Sequence, residues 1–180
     1  MNTQPLPLRE HETSEHRTSP LGRPLAVLRI LLGAIFAWAF LDKLFGLGFS
    51  TLPDRSVLAG KSPTRGYLGH LDGWLAEPLG ALAGQWWVDL AFMGGLAALG
   101  LTLLAGIALH AAAWGGTALL ALLWLSTLPL QDNPVLDEHV VYAAALFVLA
   151  AGDAGSTWGF ANHWRKFVAT RAPKLLPALG

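Results

Sequence analysis

Residues 90–130 read LAFMGGLAALGLTLLAGIALHAAAWGGTALLALLWLSTLPL and contain no Asp, Glu, Lys or Arg. At about 1.5 Å per residue, a helix of this length would measure roughly 60 Å, which is twice a bilayer core of about 30 Å. The stretch therefore predicts two membrane crossings joined by a tight turn. The whole chain agrees, because 53% of its 180 residues are hydrophobic and only 13% are charged.

Two further apolar segments, one on each side of this stretch, are also long enough to cross a bilayer. The predicted fold class is all-α, an integral membrane four-helix bundle with a long extracytoplasmic loop between the first and second spans. An interfacial segment over about 63–79 is expected within that loop. The predicted spans are about 24–45, 86–109, 111–130 and 136–158, flanked by a disordered cytoplasmic tail over 1–23 and a basic cytoplasmic tail over 161–180.

The basic residues predict the orientation. Eight of the twelve Lys and Arg residues lie in the two tails and at the beginning of the first span, and the other four lie at the end of that span and in the loop after it. Cytoplasmic segments of membrane proteins carry an excess of Lys and Arg. Both termini are therefore expected in the cytoplasm, with the lipid bilayer as the main partner.

Composition also excludes several function classes. The formal net charge is zero, so the chain has no basic excess with which to bind nucleic acid. It has no cysteine, which excludes thiolate nucleophiles, zinc sites with Cys ligands and iron–sulfur clusters with Cys ligands. No His-x-x-His spacing is present, and no metal is expected. Any redox chemistry must use a bound cofactor or a partner chain.

Charged residues inside the first and fourth spans need partners, since ionisable side chains at membrane depth are costly. Arg29 and Lys43 are 14 residues apart, which returns to within about 40° of one helix face. The fourth span, running in the opposite direction, has Asp153 near its inner end. We therefore predict a structural ion pair between Arg29 and Asp153; snorkelling of Arg29 to the interface is the simpler alternative.

The outer end of the fourth span begins with Asp137, Glu138 and His139, at the level predicted for Lys43. Acidic residues outnumber basic ones there, a setting that raises carboxyl pKa values and suits proton exchange. The alternative is that the acids only favour the helix macrodipole. The further acids expected at this edge are Asp42, Asp89 and Asp132.

Three segments carry a family resemblance: NPVLDEHVVY at 133–142, GSTWG at 155–159, and the first span from Arg29 through Gly33 to DKL at 42–44. Over about 24–164 the chain resembles the DoxX/DoxD-like membrane proteins, the latter described as the large subunit of thiosulfate:quinone oxidoreductase. The resemblance implies a four-span bundle in a bacterial or archaeal cytoplasmic (inner) membrane and a link to quinone chemistry.

The leading functional hypothesis is a quinone-linked membrane redox subunit, similar to a thiosulfate dehydrogenase, that passes electrons from thiosulfate or a related sulfur donor to ubiquinone or menaquinone. Lys43 and His139 would bind the quinone oxygens, and Asp137 or Glu138 would exchange protons. The predicted catalytic residues are Lys43, Asp137, Glu138 and His139, and the predicted cofactor-binding residues are Phe40, Phe45 and Tyr142.

Two alternatives remain open. One is a non-enzymatic membrane anchor or scaffold for a redox or thiol-homeostasis partner, in which the charged side chains bind one another and leave no ligand-sized opening. The other is a small-solute or proton carrier that uses the two charge layers as a path, although the sequence has no internal repeat.

Overall fold

The computed structural model describes residues 20–71, 73–130, 133 and 135–179, and within these residues it contains helices and no strand. The predicted all-α class is confirmed. The α-helices in chain order are α1 (Gly22–Phe45), α2 (Arg65–Leu68), α3 (Ala76–Gly80), α4 (Trp86–Ala105), α5 (Leu109–Ser126), α6 (Glu138–Ala151), α7 (Ala161–Arg171) and α8 (Leu176–Leu179), with 3-10 turns at Pro53–Arg55 and Pro173–Leu175.

Helices α1, α4 and α5 are long and apolar enough to cross a membrane. Helix α6 is apolar but has only 14 residues, a length of about 21 Å. It ends at Ala151, before the end predicted at 158, because the chain turns there; Asp153 and Trp158 both have positive φ angles. Helix α4 also ends earlier than predicted, since Gly106 adopts a left-handed conformation with φ 69°.

Close backbone contact joins α1 to α4, which run antiparallel. A methyl group added at Gly33 would lie 2.9 Å from the backbone nitrogen of Leu104, and one added at Gly100 would lie 2.8 Å from that of Ala37. Small residues allow membrane helices to approach in this way, because hydrophobicity alone does not favour protein over lipid. The α1–α4 interface therefore depends on two glycines.

Helices α5 and α6 form the second closely packed pair, and α1 contacts α6 much less than it contacts α4. Leu120, Leu146 and Leu149 are almost fully buried in the shared core. Large apolar side chains also cover the outer surface, such as Leu101, which is 69% exposed. An apolar exterior of this kind is compatible with a lipid bilayer.

Between α1 and α4, the described residues (46–71 and 73–85) form only short helices. The predicted interfacial segment, 63–79, is not one continuous helix, since it holds α2 and the start of α3. Hydrogen bonds attach it to the long helices: the hydroxyls of Tyr67 and Ser126 lie 2.7 Å apart. The predicted tail from 161 contains α7, while residues 1–19 of the predicted N-terminal tail lie outside the described residues.

Candidate functional site

Arg29 is fully buried, and the hydrogen bonds it donates to described residues all go to backbone carbonyls. Its Nε donates to Ala154 O at 3.1 Å, and its two terminal nitrogens donate to carbonyls at the end of α4 and in the turn after α6. These acceptors are the carbonyl oxygens of Leu103, Leu104 (3.0 Å), Thr157 (3.3 Å) and Trp158 (2.9 Å). One guanidinium thus joins three separate segments of the chain.

The predicted ion pair between Arg29 and Asp153 is wrong. Asp153 instead accepts a hydrogen bond from Arg165 of α7, and both side chains are partly exposed. The reason is that the chain turns after α6, so the backbone carbonyls of this turn face Arg29. A continuous helix would have presented side chains there. Glycines let the turn after α6 lie close to the end of α4: a methyl group at Gly155 would lie 2.3 Å from the Gly106 carbonyl oxygen.

Asp42, near the C-terminal end of α1, is also satisfied within the protein. Its side chain is almost fully buried and accepts hydrogen bonds from Phe49 N at 3.3 Å, Ser50 N at 3.1 Å and Ser50 Oγ at 2.6 Å. It holds the chain as it leaves α1. Asp42 therefore has a structural role, and it is not one of the unpaired acids predicted at this edge.

Lys43 faces α4, and not α6 as predicted. Its Nζ lies 5.9 Å from the centroid of the Phe92 ring. Lys43 makes no ion pair within 4.0 Å with any described carboxylate. The prediction that Lys43 joins Asp137, Glu138 and His139 is therefore wrong, because α1 packs on α4 and makes only minor contact with α6.

Asp137 and His139 form a local pair at the start of α6. The His139 ring donates from Nδ1 to Asp137 Oδ2 at 2.7 Å, since an ionised carboxylate only accepts. Asp137 Oδ1 accepts from the backbone N–H groups of His139 at 3.0 Å and Val140 at 3.3 Å. Asp137 is thus the N-cap of α6, as expected of an acid at a helix start.

Glu138 lies beside this pair and is exposed. One ligand atom from each of Asp137, Glu138 and His139 falls within 4.8 Å of the others. Both oxygens of Asp137 are already engaged in hydrogen bonds within the chain, so the capping role accounts for this geometry. The predicted acid Asp132 lies outside the described residues.

Asp137→Ala is expected to lower the free energy of unfolding by about 1 kcal/mol at neutral pH, since it removes the N-cap. Burial raises the pKa of the Asp137 carboxyl, but hydrogen bonds from His139 and from Val140 N–H outweigh burial, and its pKa is lowered. The cap is therefore fully effective above about pH 4 and weakens as the pH falls further. Thermal unfolding of both proteins across pH measures this: their difference should shrink in acid, and a constant difference would contradict it.

The predicted cofactor-binding aromatics do not meet around one described opening. Phe45 is 51% exposed, Phe40 is packed partly against the core, and Tyr142 contacts the edge of Phe36 with ring centroids 6.4 Å apart. An open groove of about 440 Å³ lies where α5 begins, beside α7 and α8, and none of the predicted site residues lines it.

Asp89, expected at the acidic edge, instead binds the loop between α1 and α4, a role that was not predicted from the sequence. Asp89, in the first turn of α4, accepts hydrogen bonds from Ser62 Oγ at 2.8 Å and from Thr64 N at 3.3 Å and Thr64 Oγ1 at 2.5 Å. The loop is therefore attached to the beginning of α4. The Ser-x-Thr spacing in the loop was the available signal, since hydroxyl side chains pair readily with a carboxylate.

No known family model matches the chain, and no curated protein or solved structure matches it either. The resemblance to DoxX/DoxD-like proteins rests on the sequence segments alone. Several residues of these segments have structural tasks: Asp137 caps α6, and the carbonyls of Thr157 and Trp158 accept from Arg29.

Proposed function

We propose that the chain is a four-span protein of the inner membrane, similar to the DoxX/DoxD-like proteins, and that it acts as the membrane subunit of a quinone-linked redox system. In this proposal α1, α4, α5 and α6 form the bundle, the loop between α1 and α4 is extracytoplasmic, and both termini are cytoplasmic. The apolar exterior of the helices and the excess of basic residues in the two tails support this arrangement.

The observation that carries the redox proposal is how the Lys43 ammonium is surrounded. Arg29 and Asp42, the other charged residues well inside α1, are saturated by hydrogen bonds from within the chain. Lys43 is half-buried beside the Phe92 ring, and its ammonium has neither a hydrogen bond nor an ion pair among the described residues. A half-buried cation that has no hydrogen-bond acceptor favours a ligand that presents an oxygen.

A quinone fits these groups, because its carbonyl oxygens accept hydrogen bonds and its ring packs against aromatic side chains. When bound, a quinone would accept two electrons and two protons. In this chain Lys43 would hold one oxygen and Phe92 would pack on the ring. The protons would come from water, because α1 packs on α4 and keeps Lys43 away from Glu138, the exposed predicted acid on α6. Electrons would come from thiosulfate or a related sulfur donor, directly or through a partner subunit.

Lys43→Ala is expected to reduce quinone binding and quinone reduction by about 10-fold or more, since a hydrogen bond from a charged group contributes about 1.5–3 kcal/mol. The assay follows reduction of a soluble quinone analogue by purified protein supplied with thiosulfate, alongside equilibrium binding of the analogue. Binding is measured separately because an absent partner would abolish turnover and leave binding intact.

The matched control is Lys61→Ala, which removes an exposed lysine from the loop. It should bind the analogue as the natural protein does. Equal binding by both variants, or no binding by the natural protein, would overturn the redox proposal. Thermal unfolding of Lys43→Ala should be unchanged, which separates loss of a ligand from loss of the fold.

The second candidate is the non-enzymatic scaffold, favoured by a specific observation. Arg29, Asp42 and Asp137 bind groups of their own chain, and the predicted aromatic residues share no opening among the described parts of the fold. A scaffold predicts no quinone binding together with co-purification of a partner protein. The carrier alternative has less support, since the predicted ladder of Arg29–Asp153 and Lys43–Asp137 pairs is not formed.

A further inference from the structure

A groove of about 440 Å³ opens where α5 begins, between that helix and the C-terminal helices α7 and α8. Its wall is almost entirely apolar, although three of the residues that form it carry nitrogen-bearing side chains. The residues that line it are His110, Arg165, Lys166, Ala169, Leu176 and Pro177.

The residues that line the groove carry excess positive charge. Arg165 is held in position by Asp153, and both groups are partly exposed. Lys166 is exposed and forms no ion pair with the carboxylates that the structure describes. The sequence offers nothing nearby to neutralise it, because no Asp or Glu follows Asp153 as far as Gly180, whereas four Lys or Arg residues do.

The groove also lies at the level where the long helices end. Helix α4 ends and α5 begins beside it, and the two are separated by only three residues. Exposed aromatic side chains cluster in the same part of the chain, with Trp158 62%, Phe160 64% and Phe167 53% exposed. Aromatic residues of this kind concentrate at the boundary between lipid headgroups and water. The groove therefore opens at headgroup depth.

We propose that this groove binds one anionic phospholipid, such as phosphatidylglycerol. The phosphate would lie against Lys166 and Arg165, and part of an acyl chain would lie along Ala169, Leu176 and Pro177. A phospholipid combines a negative headgroup with an apolar tail, which matches the basic side chains and the apolar wall of the groove. The site is independent of the redox role, since Lys43 is at the opposite end of α1.

The test is native mass spectrometry of the full-length protein in detergent, titrated with phosphatidylglycerol and, separately, with phosphatidylcholine. One phosphatidylglycerol should bind at least 10-fold more tightly than phosphatidylcholine. Lys166→Gln should weaken its binding about fivefold, because one basic residue near an anionic headgroup contributes about that factor. Inorganic phosphate at the same concentrations should not displace the lipid.

Two matched pairs of variants make the result specific. Lys174→Gln removes a positive charge from the same segment but outside the groove, and it should change binding less than twofold. Ala169→Glu places a negative charge on the groove wall and should weaken binding at least 10-fold, whereas Ala178→Glu adds the same charge at an exposed residue that does not line the groove and should not. Equal effects within either pair, equal affinity for both lipids, or displacement by phosphate would overturn the proposal.

Discussion

Arg29→Ala is expected to lower the free energy of unfolding by about 3–5 kcal/mol, since it leaves five carbonyl oxygens in and around a buried site without their donor. Protein domains are stable by only about 5–15 kcal/mol, so the variant loses much of its stability. Thermal unfolding in detergent, followed by circular dichroism, measures the loss.

The control for this prediction is Arg23→Ala, which removes an exposed arginine from the first turn of the same helix. It should unfold like the natural protein. Arg29→Lys should fall between the two, because an ammonium carries charge and three donors but cannot reproduce the planar fork of a guanidinium. If Arg29→Ala and Arg23→Ala unfold at the same temperature, the carbonyl hydrogen bonds contribute little.

Gly100→Leu is expected to lower the free energy of unfolding by about 3 kcal/mol through overpacking. A methyl group at this position would already lie 2.8 Å from Ala37 N and 2.9 Å from Ala37 Cα, and both are backbone atoms that move only with the helix. Helices α1 and α4 must therefore separate. Thermal unfolding and gel filtration in detergent would report the loss.

Gly94→Leu is the matched control, because Gly94 lies on the same helix and a methyl group added there meets nothing within 4 Å apart from the backbone of its own helix. Leucine also has a higher helix propensity than glycine. The Gly94 variant should therefore be at least as stable as the natural protein. A similar loss of stability in both variants would mean that glycine is needed for the helix itself and not for its packing on α1.

The long helices could be predicted from the sequence because the apolar contributions of successive residues add up. Residues 90–130 lack charge throughout, and each apolar side chain independently favours lipid. The boundaries were less accurate, since they depend on single backbone conformations. Gly106, with φ 69°, ends α4 four residues before the predicted 109.

The partners of the charged residues could not be predicted, for a different reason. Helical periodicity fixes the face and depth of a side chain, but not which neighbouring helix it meets. Lys43 meets α4 because Gly33 and Gly100 bring α1 and α4 together, a choice that periodicity does not encode. Arg29 binds backbone carbonyls. Every residue has one, so the sequence does not indicate which carbonyls Arg29 binds.

The acceptors of Arg29 are separated from it by 74 to 129 residues of chain, and this separation affects how the protein is made. At about 5–20 residues per second, a ribosome completes the final acceptor roughly 6–26 s after the arginine itself. The carbonyls of Leu103 and Leu104 are made earlier, but until the turn after α6 is made the guanidinium lacks its other three acceptors. Water, lipid phosphate or the insertion machinery must solvate it in the meantime, so a segment translated long after α1 completes the contacts of the first helix.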